Sequence, residues 1–128
     1  MVVDDGDFVA HLFDSGSFSF AVLWSCNLME KVIDSTVEAI LSQNPEKTKL
    51  FRKDNGERRG YPQQLENLGL KLQERSVNDS LTTERLWHEL RNSIAHHNHR
   101  ASFQETYDTL AIVVSFTKEL PKTLQAWK

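Results

Sequence analysis

The chain has 128 residues, 39% of them apolar and 26% charged, with a net charge of −3 and one cysteine. That length carries one core without disulfide or metal staples, and it predicts one domain over residues 1–128. The charge balance excludes blanket polyanion binding. The lone Cys26, the lack of a basic-then-apolar leader and the shortness of the most apolar run (Phe18 to Leu28) predict a cytoplasmic protein with no membrane association.

Phe8, Val9, Leu12 and Phe13 form a brief helical pattern closed by Asp14-Ser15-Gly16-Ser17, with Ser17 placed to cap the next helix. From Phe18 to Leu41 the apolar period is long and unbroken. It predicts one helix of about six turns, ended by Ser42-Gln43-Asn44-Pro45. Cys26 falls among apolar neighbours there and is expected to be a small buried hydrophobe, not a reactive thiol. Pro45 to Pro62 keeps no period and holds six basic residues, Lys47, Lys49, Arg52, Lys53, Arg58 and Arg59. It is expected to be a charged loop with a single turn in it, either simply solvated or an arm that touches RNA phosphates through Arg58 and Arg59.

Gln63 to Glu74 predicts a shorter helix, weakened at Gly69 by about 1 kcal/mol relative to alanine. Residues 75–80 are a polar turn in which Asp79 or Ser80 can cap a helix from about Leu81 to His96. Ser102 and Glu105 then fit the S-x-x-E capping box of a last helix, Phe103 to about Leu120. The apolar face expected for that helix is Phe103, Leu110, Val113, Val114, Thr117 and Leu120, with Tyr107 and Phe116 nearby. Pro121 should stop or bend it, leaving residues 123–128 as a tail with Trp127 folding back. No strand pattern survives, so the expected fold is an all-α bundle of four main helices plus a short N-terminal one.

The chemistry concentrates between Leu86 and Arg100. Four of the five histidines lie between positions 88 and 99. Leu86, Leu90 and Ile94, with Trp87, make an apolar stripe, while His88, Asn92, His96 and His99 gather on the other side and Arg91 sits at the stripe's edge. A bundle di-metal site needs paired Glu-x-x-His motifs and further carboxylates. The chain offers only Glu84 and His88 at i, i+4, so no metal and no other cofactor is expected. Arginine with histidine instead supplies the parts of metal-free phosphodiester cleavage. One is a permanent planar cation for phosphate oxygens, the other a group that moves protons near neutrality. On a regular helix Arg91 and His96 are about 140° apart. Either the helix unwinds near Ala95, or the two act in a composite site with a second copy of the chain. The plainer alternative is surface histidines ending a helix, where the dipole favours their protonated form.

Leu90-Arg91-Asn92-Ser93-Ile94-Ala95-His96-His97-Asn98 resembles the signature of the HEPN domain family, in which an arginine precedes a histidine by four to six residues. His96 fits with four intervening residues and His97 with five. The resemblance implies a HEPN-like helical bundle, a homodimer with facing motifs, and metal-independent endoribonuclease activity of the kind found in toxins and defence systems. An antitoxin or other regulatory protein would restrain it. Carried over, Arg91 holds the phosphate, Asn92 supports the site and His96 is the base toward the 2′-hydroxyl, with His97 as the alternative. The products are 2′,3′-cyclic phosphate and 5′-hydroxyl ends. Other members of the family serve as non-catalytic dimerisation, nucleotide- or protein-binding modules, which is the alternative here. Toxins paired with a minimal nucleotidyltransferase carry a tyrosine two residues after the motif histidine, where this chain has Asn98.

Overall fold

The structure, a computed structural model, describes residues 5–72 and 81–127. Among these residues it is helical and contains no strand. The elements are α1 (Asp5–Asp14), α2 (Phe18–Gln43), a 3-10 turn (Pro45–Leu50), α3 (Tyr61–Asn67), α4 (Thr83–Arg85), a π-helical turn (Leu86–Leu90), α5 (Arg91–His96) and α6 (Phe103–Trp127). No helix is long and apolar enough to cross a membrane among the described residues.

Two long helices, α2 and α6, make the frame. Val22, Cys26, Met29, Ile33, Val37 and Ile40 line the inner face of α2, and Ile112, Phe116 and Leu120 are fully buried on α6. Each such aliphatic or aromatic side chain contributes roughly 1.5–3 kcal/mol of burial. Phe51, Leu65, Leu86, Trp87 and Leu90 close the same core from the side of α3 and α5.

Several boundaries differ from the sequence expectation. Ser17 precedes α2, but its hydroxyl makes no cap bond and lies 3.3 Å from that of Ser15. Helix α3 stops at Asn67, because Gly69 turns the chain at φ 90°, and residues 70–72 continue without helix. The expected caps Asp79 and Ser80 lie outside the described residues. The cap in place is Thr82, whose hydroxyl accepts from the Arg85 N–H at 3.2 Å. Buried Thr83 donates to the Leu72 carbonyl at 3.0 Å and ties that helix to the segment before it.

Pro121 does not end α6, which runs on to Trp127. A proline inside a helix costs about 3 kcal/mol. Leu124 and Trp127 offset it by packing against the core, with the Trp127 ring 6.2 Å from Phe51. The apolar face of α6 is also rotated from the one expected. Val113 and Leu120 are buried as expected, together with Phe116, but Thr106 and Ile112 join them, whereas Phe103, Tyr107 and Val114 are exposed, with Phe103 at 54%.

Candidate functional site

The helix carrying the motif is not uniform. Its ladder widens to i→i−5 over Leu86–Leu90, and the Arg91 N–H closes the last wide turn on the Leu86 carbonyl. Such π turns occur mostly as single insertions and are frequent at functional sites. Nothing in Leu-Trp-His-Glu-Leu breaks a helix, so sequence patterning held no sign of it. The insertion lies before Arg91, and α5 is regular from Arg91 to His96. The helix therefore does not unwind at Ala95.

Arg91 and Trp87, one turn apart, both reach Glu30 on α2. Arg91 Nη2 is 3.1 Å from Glu30 Oε1, and the Trp87 indole N–H donates to the same oxygen at 3.3 Å. The Arg91 side chain keeps 34% exposure while Glu30 keeps 15%, so the guanidinium is fixed on its inner edge and open on its outer one. Beneath the pair, one turn back on α2, lies Cys26. Burial pushes its thiol up to about 12, with Arg91 pulling it down and Glu30 pushing it up. It is a neutral packing group, as its sequence context implied.

His96 and His97 end α5 and are exposed. Regular helix geometry directs His96 about 140° from Arg91, so the two do not share a face of α5. Asn92 is exposed on the His96 side, its amide donating to the His88 carbonyl at 3.2 Å. The chain then reverses through Asn98, at φ 55°, with the N–H groups of His97 and His99 both bonded to the Ser93 carbonyl. His99 Nε2 lies 3.0 and 3.2 Å from the two carboxylate oxygens of Glu105. That carboxylate also accepts from the Ser102 N–H, while the Ser102 hydroxyl accepts from the Glu105 N–H, completing the expected capping box. The Ala101 N–H donates to Ser19 Oγ at 2.9 Å and fastens the loop to the start of α2. His99 is thus a structural tie, not a partner of His96.

The two loop arginines part company. Arg59 Nε donates to the Lys49 carbonyl at 2.9 Å and is half-buried in the fold of its own loop. Arg58 is exposed, with its guanidinium 3.9 Å from the centre of the Tyr61 ring. The Tyr61 hydroxyl donates to Asp34 Oδ2 at 3.1 Å. A cavity of about 210 Å³ opens along α2 between these ends, lined by Trp24, Asn27, Glu30, Lys31, Asp34 and Tyr61. It connects the carboxylate that holds Arg91 with the tyrosine under Arg58. Sequence reading missed Glu30, Trp24 and Asp34, whose roles come from helices packed together and not from local spacing. No three of His, Cys, Asp and Glu converge on a metal-sized site among the described residues.

Compared with protein-family models, curated proteins and solved structures, the chain matches none.

Proposed function

We propose that this chain is a metal-independent endoribonuclease of HEPN type, acting as a homodimer of HEPN-like helical bundles. The observation that carries the reading is the setting of Arg91. It is a permanent cation held by Glu30 on a partly open face, on the same short helix as an exposed imidazole. Arg91 binds the non-bridging phosphate oxygens, and its planar fork suits them. His96 takes the proton of the 2′-hydroxyl, whose oxygen attacks phosphorus. The P–O5′ bond breaks and the 5′-oxygen takes a proton from a protonated imidazole, leaving 2′,3′-cyclic phosphate and 5′-hydroxyl ends. Asn92 supports the site from the His96 side, and His97 is the alternative base.

Because Arg91 and His96 diverge on a regular helix, cation and base meet on one phosphate across two copies of the chain. Exposed Phe20, Phe103 and Tyr107 give such a pairing apolar area to cover. A second reading, a non-catalytic HEPN module that binds a nucleotide or protein, is favoured by one fact. Glu30 already neutralises Arg91, so a phosphate has to compete with a carboxylate.

The test is cleavage of labelled single-stranded RNA in EDTA. Arg91→Ala and His96→Ala are each expected to be inactive, and mixing the two variants should restore about a quarter of wild-type activity. Random pairing makes half the dimers mixed, each with one intact composite site. Wild-type chain that cuts no RNA overturns the nuclease reading in favour of the binding module. Active wild type with no recovery on mixing overturns the composite site.

A further inference from the structure

The cavity along α2 has a distinct chemical order. Trp24 and Lys31, seven residues apart, share one row of α2, Asn27 and Asp34 the next and Glu30 the one beyond; Trp24, Asn27 and Lys31 are exposed, whereas Glu30 and Asp34 are half-buried. Trp24 is 40% exposed, and Phe8 packs on it edge-on at 4.9 Å, which braces the indole while it still lines the cavity. Cations stand at both ends: Arg91 against Glu30, and Arg58 over Tyr61, which bonds Asp34. The two carboxylates thus lie between a cation at each end, with Lys31 and the Trp24 ring on the outer side.

That order matches a nucleotide strand whose base carries amine donors and whose phosphates flank it. We propose that the α2 groove is a nucleobase subsite, in which a base bearing an exocyclic amine stacks on Trp24 and donates to Glu30 and Asp34. The inference rests on the reading of Arg91 as a phosphate site and names the substrate it selects. Cytosine, adenine and guanine each present an amine with two N–H bonds for the two carboxylates, whereas uracil has a single N3–H flanked by two carbonyl oxygens and is disfavoured. The cavity, at about 210 Å³, is below the roughly 300–1,000 Å³ of drug-sized sites, so it takes a single ring system. Asp34 keeps its bond from Tyr61 through Oδ2, and both bonds to Glu30 end on Oε1. Each carboxylate therefore has a second oxygen to offer a base.

The experiment is a fluorescence-anisotropy titration of labelled short oligocytidylate and oligouridylate, using the full chain with His96→Ala so that no substrate is consumed. Oligocytidylate is expected to bind roughly tenfold more tightly than oligouridylate. Adding Trp24→Ala should weaken oligocytidylate roughly tenfold, while Trp24→Phe, which keeps a stacking ring and the contact with Phe8, retains most of the affinity. Asp34→Asn leaves an acceptor for Tyr61 and should abolish the preference for cytidine. Equal binding of the two oligomers by the parent variant, or unchanged affinity in Trp24→Ala, overturns the subsite. Since binding is read without cleavage, the two proposals fail separately. Wild-type chain that never cuts RNA but shows this pattern keeps the subsite and loses the nuclease; cleavage without the pattern does the reverse.

Discussion

Arg91 on α5 and Glu30 on α2 meet at 3.1 Å, and that pair sets both the orientation of the cation and its effective charge. A carboxylate on the inner edge of a guanidinium fixes its plane, yet it also cancels much of the field that would draw an anion.

Replacing Glu30 with glutamine separates these effects. Glu30→Gln keeps an oxygen for the Trp87 indole and for Arg91 but removes the negative charge. Affinity for oligouridylate, which does not use the carboxylates of the α2 groove, should rise several-fold at low salt and fall more steeply as salt is added, because one more cation is free to displace counterions. The stability cost should be about 1 kcal/mol by urea unfolding, since the pair is partly solvent-screened. Unchanged affinity with a flat salt response would mean that Arg91 does not meet phosphate.

The loop arginines give a contrast within neighbouring residues. Arg58→Glu should weaken RNA binding and reduce the salt slope by about one, as for a phosphate contact, with little effect on unfolding. Arg59→Glu should destabilise instead, by about 1 kcal/mol, because it loses the bond to the Lys49 carbonyl that shapes the loop. Equal effects of both variants on salt dependence would return Arg59 to the interface.

What could be read from the sequence was local. The Ser102 capping box was legible because its two bonds join residues three apart, and the long α2 because its apolar period is unbroken. The shortness of α3 depends on Gly69 taking a positive φ, which composition flags as a weakness and not as a stop. The burial of Ile112 and exposure of Val114 depend on which side of α6 faces α2, and both residues sit in one β-branched run. Most of the site was hidden for the same reason. Arg91 and His96 stand out by type and spacing, but the pairing with Glu30, the π turn before Arg91 and the Trp24 cavity exist only after α2 and α5 pack together.

Acid should loosen the loop behind the motif. Burial tends to raise the Glu105 carboxyl, but the Ser102 N–H, the bond and charge of His99, and the Ser102 hydroxyl outweigh it and hold the group below its ordinary range. A carboxyl depressed in the folded state adds stability above its unfolded value, about 4.3, and loses it as pH falls through the lower folded value. Glu105→Gln should therefore flatten the acid limb of a stability–pH curve, while Ser102→Ala costs about 1 kcal/mol in the neutral range through the lost cap. Parallel acid limbs for wild type and Glu105→Gln would remove Glu105 from that dependence.

Asn98 carries the chain through φ 55° directly after the motif helix, the one non-glycine residue with positive φ among those described. Asparagine tolerates this region, whereas a residue with an ordinary Cβ pays about 1 kcal/mol. Asn98→Gly should be neutral or slightly stabilising in urea unfolding, and Asn98→Ala should cost about 1 kcal/mol. Asn98→Tyr should cost at least as much, because bulky side chains are poorer still at positive φ. The turn behind the motif helix is thus shaped for asparagine or glycine and not for a bulky residue. If Asn98→Tyr folds with undiminished stability, the turn does not depend on Asn98.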